Sequence, residues 1–311
     1  MILVWLAVLT MHQAMVPMPL WAWAALWAAL AYAWWRWRRP GWLLAAGGIT
    51  LAGMFVWLFS LAPRNDRAWR PEMERLPEIT VAGDTMTIRD LRHFRWKSPV
   101  QAEAIWGNRV LDLRQLQELE LFIVPFKEAP QYLGHIMLGF GFADGNRIIV
   151  SVEARREIGE VYAPLPGILR QFELIYLFCD EEDPLTVRAI HQQSTIYRHP
   201  IKATPEFIRS LLLELANTAN GLRDQPQFYD SRINNCTTTL FEHVNRTLPQ
   251  PIPWSSEILF SVQTGRLLHR LGYLKTSLPY PEAQAAARCD PLIRQQAGKP
   301  GFSAAIRAEI N

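Results

Sequence analysis

Hydrophobic and polar positions divide this chain into two unequal parts. From Met15 to Trp35, and again from Trp42 to Ala62, 21 residues run without a charged side chain. Each stretch meets the ~20 residues that a helix needs to cross a hydrocarbon core. Pro17 and Pro19 fall at the start of the first stretch, where a helix tolerates proline. After residue 63 the pattern changes to short apolar runs punctuated by turn residues. Residues 79–97 alternate in part around Gly83-Asp84, which predicts a short edge hairpin. Glu118–Val124 reads as a strand ended by Pro125. The clearest hairpin is His135–Phe142, then Ala143-Asp144-Gly145-Asn146, then Arg147–Glu153. Asp-Gly between apolar runs is a strong turn signal. Residues 172–178 predict a further strand. Helices are predicted from Thr204-Pro205 to about Asn220 with Gly221 as the stop, over 236–247 behind Asn235 as N-cap, and over Leu259–Leu274. Strands and helices together make an α+β fold.

Charge and aromatic placement turn the two apolar stretches into a topology. Residues 1–63 hold no Asp, Glu or Lys, and their only charges are Arg36, Arg38 and Arg39. Trp34, Trp35, Trp37 and Trp42 flank that basic loop like the aromatic belt of a membrane interface. Residues 1–63 are therefore expected to form a two-span transmembrane helical hairpin in a bacterial inner membrane. Positive-inside logic puts the loop in the cytoplasm and everything after residue 63 in the periplasm. Residues 1–9 are apolar too, and another span there would invert the arrangement, but nine residues are too few to cross. The expected order is hairpin 1–63, linker 64–84, catalytic domain 85–275 and C-terminal tail 276–311, the tail being partly mobile from Pro279 on.

Composition narrows the chemistry. Of 32 basic and 29 acidic residues, three arginines lie in the hairpin, so the remainder is balanced at 29 of each. A nucleic-acid partner, which calls for a net basic face, is not expected. Three cysteines, Cys179, Cys236 and Cys289, are too few and too widely spaced for a disulfide scaffold. The sequence has no zinc motif and no phosphate-binding loop, so neither a metal nor another cofactor is expected.

The residues that suggest chemistry surround Cys236. It opens a predicted helix after Asn234-Asn235, where the positive end of the helix dipole favours a thiolate. Backbone N–H groups at the same helix start, with Asn235 and Thr237 beside the sulfur, could hold an oxyanion or position the thiol. The alternative is a small apolar core residue. A nucleophilic cysteine needs a base. His243 lies two helical turns beyond Cys236, about 10 Å along the axis, and is too far. His135 follows Gly134 at the start of the strongest strand, where a ring can be held rigidly and a neighbouring backbone can come close. Its alternative is an edge histidine with ordinary partners. Glu153, on the paired strand, is the candidate to orient His135, and hairpin register decides it. A three-residue loop of Ala143, Asp144 and Gly145 puts 153 opposite 135, whereas a two-residue Asp-Gly turn puts Ala154 there. Otherwise Glu153 would form a salt bridge with Arg155, Arg156 or Arg170.

The runs Gly134–Phe142, Ile149–Glu157, Gly159-Glu160, Phe172–Tyr176 and Asn234-Asn-Cys-Thr-Thr238 resemble, in order and spacing, the periplasmic domain of the Lnb-type lipoprotein N-acyltransferases. The resemblance covers roughly residues 85–270, and His135 and Cys236 match the family's His and Cys. Such acyltransferases carry a large further C-terminal portion, where this chain has about 40 residues after the last predicted helix. The His-before-Cys order is similar to permuted NlpC-type papain-like folds, an antiparallel sheet packed on helices. Asn-Cys at a helix start is similar to lecithin:retinol acyltransferase. The resemblance implies a membrane-anchored thiol acyltransferase. It would take an acyl group from a phospholipid as a Cys236 thioester and pass it to an amine, with a lipoprotein N-terminus as one acceptor. A hydrolase of cell-wall peptides or amides on the same fold, or a non-catalytic membrane-anchored module, are the alternatives.

Overall fold

A central sheet with both faces buried organises the domain and explains why its strands read as continuous apolar runs rather than strict alternation. The structure is a computed structural model that describes residues 55–127 and 130–308, with the isolated positions 28, 32, 48, 49, 52 and 53. The expected membrane spans lie largely outside the described residues, and among these no helix is long and apolar enough to cross a membrane. The chain divides into two units, Met1–Ala62 and Pro63–Asn311. In the first, residues 55–60 are helical and Phe55 stacks on Phe59.

The second unit is a mixed α+β fold. Its strands are β1 (Glu78–Ala82), β2 (Thr85–Arg92), β3 (Arg95–Ser98), β4 (Gln101–Glu103), β5 (Trp106–Asp112), β6 (Leu116–Pro125), β7 (Gly134–Phe142), β8 (Arg147–Arg155), β9 (Glu173–Asp180) and β10 (Tyr197–Pro200). Eight of them form one sheet in the order β1-β2-β9-β8-β7-β6-β10, with β5 on β2, and β3 pairs with β4 separately. Pairing is antiparallel except where β2 meets β9, at Arg92 and Cys179. The predicted hairpin around Gly83 is β1–β2, and Gly83 has the positive φ that the turn needs.

Alternate residues of the central strands supply two cores. Ile136, Leu138 and Phe140 of β7 and Ile148, Val150 and Val152 of β8 face α1 (Pro205–Asp224) and α2 (Cys236–Thr247). Met137, Ile149, Phe122 and Val124 face the other way, against Cys289, Ile293, Phe302 and Ile306 of the C-terminal segment. That segment folds into helices Tyr280–Ala286, Asp290–Gln296 and Phe302–Ala305 and closes the second face. Arg307 fastens it to Glu120 and Glu181.

Three local expectations give way to tertiary contacts. Gly221 does not stop α1, which continues to Asp224. Leu222 is buried, and the Asn65 amide donates to the carbonyls of Leu222 (2.7 Å) and Arg223 (3.0 Å), so the last turn has partners from elsewhere in the chain. The helix expected over Leu259–Leu274 is broken into a turn at Ser261–Gln263 and a short helix at Thr264–Arg270. The Ser261 hydroxyl lies 2.7 Å from the Thr237 hydroxyl, and Val262 N–H donates to the Tyr132 carbonyl at 3.3 Å, which holds this segment against α2 and the β6–β7 connection. The stretch 64–84, expected as a linker, is clamped to the sheet. Arg155 donates to Asn65 Oδ1 and to the carbonyls of Met73 and Glu74, and its guanidinium lies 4.1 Å from the Trp69 ring centre.

Candidate active site

The start of α2 is set by Asn235. Its backbone is extended, and its side-chain oxygen accepts from the N–H groups of Thr237 (2.9 Å) and Thr238 (3.1 Å). Thr238 Oγ1 accepts in return from Asn235 N–H at 3.1 Å, closing a reciprocal capping box. The Asn235 amide nitrogen donates to the Ser231 carbonyl at 3.0 Å, so both ends of this side chain are used in placing the residue that follows. That residue is Cys236, buried at the first position of the helix. Thr237 is also buried, with its hydroxyl 3.8 Å from the Cys236 sulfur. The N–H of Thr237 is committed to the cap, and Asn235 and Thr237 together fix where the thiol sits.

The β7–β8 loop decides what stands across from His135. Gly145 N–H donates to the Phe142 carbonyl and Phe142 N–H to the Asn146 carbonyl, both at 3.0 Å, and Gly145 has φ +88°. This is the three-residue loop of Ala143, Asp144 and Gly145, with glycine in the left-handed position. The register that follows pairs Leu138 with Val150 and Gly141 with Arg147. Carried to the strand ends, it sets 153 across from 135. His135 Nε2 lies 3.1 Å from Glu153 Oε1 and 2.8 Å from Ser151 Oγ, and the serine hydroxyl itself donates to Glu153 Oε1 at 2.7 Å. Those contacts occupy Nε2 and leave Nδ1 as the ring nitrogen for the thiol. Gly134 has the close backbone neighbour that the sequence suggested: a Cβ there would lie 2.6 Å from the Val124 carbonyl oxygen.

The electrostatics distinguish Cys236 from the other two cysteines. All three are free and buried. Burial pushes Cys179 and Cys289 up to about 12. At Cys236 burial acts the same way, but the charge of and hydrogen bond to His135, the Ile136 N–H and the Thr237 hydroxyl outweigh it and bring the thiol below its ordinary value. At His135 burial opposes protonation, yet Glu153 and the Cys236 sulfur raise the ring to about 9. Glu153 is held well below the usual carboxylate range, its burial overcome by His135, Arg188 and Ser151. The balance favours a thiolate–imidazolium pair backed by a carboxylate.

Two further side chains of the site were not among the sequence candidates. Ser151 lies two residues before Glu153 on the same face of β8, and period-two spacing could have drawn attention to it. Arg188 gave no local cue. It sits in a π-helical turn, Val187–His191, and donates to Glu153 Oε1 at 2.7 Å, a partner other than Arg155, Arg156 or Arg170.

Cys236, His135 and Glu153 open onto a cavity of about 680 Å³. Arg70, Arg92, Arg156 and Arg188 also line it. Its lining includes Val100 and Val161, which are 75% and 78% exposed, and Phe126 and Leu259, which are partly so. Among the described residues, no group of three or more His, Cys, Asp or Glu side chains could hold a metal ion.

No curated protein and no solved structure matches the chain. The family model described as the Lnb N-terminal periplasmic domain matches residues 102–264, just over half of the chain, and spans β5 to β10, with the His135 strand, and the Cys236 helix. The chain therefore belongs to the Lnb N-terminal periplasmic domain family.

Proposed function

We propose that this chain is a membrane-anchored thiol acyltransferase of papain-like, permuted NlpC-type architecture, with Cys236 as nucleophile, His135 as base and Glu153 as the group that orients the ring. The observation that carries this reading is the unbroken line from a thiol with lowered pKa to a histidine held by a carboxylate, at the wall of a cavity. The exposed apolar side chains Val100 and Val161 at the cavity favour a lipid acyl donor over a polar cell-wall peptide.

In the first half-reaction the Cys236 thiolate attacks the ester carbonyl of a phospholipid. The carbon–sulfur bond forms, the ester carbon–oxygen bond breaks, and the His135 imidazolium gives its proton to the leaving alkoxide. In the second half-reaction an amine, with a lipoprotein N-terminus as one acceptor, attacks the thioester. The carbon–nitrogen bond forms, the thiolate leaves, and His135 takes the proton that the amine loses. Water in place of the amine would make the same thioester the intermediate of a hydrolase.

The test is intact-mass measurement of the purified chain after incubation with phospholipid. The expected result is an added acyl mass that hydroxylamine removes and that Cys236→Ala does not acquire. An acyl mass on the Cys236→Ala chain would refute the nucleophile. Release of free fatty acid from the labelled chain without transfer to an added amine would favour the hydrolase. The two apolar stretches before residue 63 support a hairpin anchor with the domain in the periplasm. A protease added to spheroplasts should then cut the domain, and protection of the domain would invert the topology.

A further inference from the structure

The four arginines lining the cavity are not equivalent. Arg92 is buried and paired with Asp183 through two nitrogens, at 2.9 and 3.1 Å. Arg188 is bound to Glu153, and Arg70 to Glu72 at 2.7 Å. Arg156 is part-buried, and its guanidinium has no hydrogen bond or ion pair among the described residues. Only its backbone is engaged, with its N–H on the Met73 sulfur and its carbonyl on Arg70 N–H.

The nearby carboxylates are all committed elsewhere. Glu153 holds His135, Ser151 and Arg188, and Glu72 holds Arg70. Glu160 accepts from Glu157 N–H at 2.8 Å and from the Gln171 amide at 2.9 Å. Burial and then the charge of Arg70 act against the Arg156 cation, and the charges of Glu153, Glu72 and Glu160 offset them only in part. A guanidinium in a part-buried site with no direct hydrogen-bonded partner is costly unless an anion meets it. Its planar fork suits two oxygens of a phosphate better than an ammonium would.

We propose that Arg156, with Arg70 beside it, forms an anion subsite in the Cys236 cavity that takes the phosphodiester of the acyl donor. This inference rests on the acyl-transfer reading and sharpens it: the donor is an anionic phospholipid rather than a neutral glyceride, and its phosphate is anchored while the ester reaches the sulfur. Free inorganic phosphate presents the same oxygens to Arg156, so the source of the anion has to be read separately.

Binding is read on the full-length Cys236→Ala chain in detergent, which cannot form the adduct, so this result does not depend on whether acylation occurs. The probes are dihexanoyl phosphatidylglycerol, dihexanoylglycerol and inorganic phosphate. The expected result is a preference of about tenfold or more for the phosphatidyl lipid over the neutral one, with inorganic phosphate competing only weakly. Arg156→Gln added to this chain should abolish that preference, Arg156→Lys should keep part of it, and Arg209→Gln, at the exposed pair with Asp84, should leave the ratio as it is. Equal affinity for the two lipids in the chain with Arg156 intact overturns the subsite without needing any arginine variant. So does a preference that survives Arg156→Gln. Inorganic phosphate binding as tightly as the lipid would assign the subsite to a free anion and overturn the lipid assignment.

Discussion

Glu153 reaches His135 across the β7–β8 hairpin, 3.1 Å from carboxylate oxygen to Nε2, because Gly145 adopts the left-handed conformation that makes the loop three residues long. With a two-residue turn, Ala154 would stand in its place and Glu153 would point to the opposite face. The orientation of the proposed base therefore depends on a glycine at the far end of the hairpin.

The thiol should be reactive below the pH expected of a buried cysteine. Cys236 is lowered from an ordinary 9.0 mainly through His135, against burial. Iodoacetamide alkylation of Cys236 should follow an apparent pKa below 9 in the wild type. In His135→Gln the burial that takes Cys179 and Cys289 to about 12 is opposed only weakly, so the curve should move above 9. The pH profile of alkylation followed by mass spectrometry reads this directly, and an unchanged profile would separate the two residues chemically.

Stability should depend on pH through the same carboxylate–imidazole contact. His135 rises from 6.5 to about 9 on folding, so the folded state holds its proton more tightly. The stabilisation is complete below pH 6.5 and is lost as pH rises through 9. Glu153 is depressed on folding, so its contribution is present above about pH 4.5 and is lost as acid protonates it. The Tm difference between the wild type and Glu153→Gln should be widest between about pH 4.5 and 6.5 and should narrow on either side. It should not close at high pH, because Arg188 also loses its partner. A difference independent of pH would rule out this linkage.

Gly134→Ala should damage both fold and site. The new Cβ would lie 2.6 Å from the Val124 carbonyl, which is backbone and cannot swing aside. The start of β7 must move off β6, at a cost of about 1–3 kcal/mol by comparison with overpacked cores. His135 would move with it, so the rate of acyl-adduct formation should fall further than the loss of folded protein explains. Denaturant unfolding and single-turnover mass measurement on the same samples separate the two effects.

Asn235→Ala should cost about 0.5–2 kcal/mol, the range for losing a helix N-cap. Two N–H groups, those of Thr237 and Thr238, lose their acceptor, and α2 is free to fray at Cys236. Asn235→Asp keeps the acceptor and should recover most of that stability in urea unfolding. A Cys236 alkylation rate unaffected by Asn235→Ala would remove the cap from the account of the thiol.

Local chemistry made much of the site legible in advance. Asn before Cys marks a cap and a helix start, an apolar run on each side of Asp-Gly marks a hairpin, and Gly before His marks a close backbone approach. Each is a relation between residues a few positions apart, which short-range sterics and hydrogen bonding decide. Those signals made Cys236, His135 and two positions for the third group candidates, each with a structural alternative, and the resemblance to the Lnb-type domain is what set Cys236 and His135 above theirs.

What sequence could not supply was any relation formed across the fold. The choice between Glu153 and Ala154 waited on the register of β7 against β8. Arg188 reaches Glu153 from a turn 35 positions away, and Asn65 carries α1 past Gly221 from 157 positions away. Arg156 stands out only because every carboxylate near it is taken by another partner, an arrangement that spans five separate segments. Pattern along a chain reports which groups want burial or a partner; which partner each one meets is settled by packing, where hydrogen-bond capacity is finite and is shared among residues that the sequence keeps far apart.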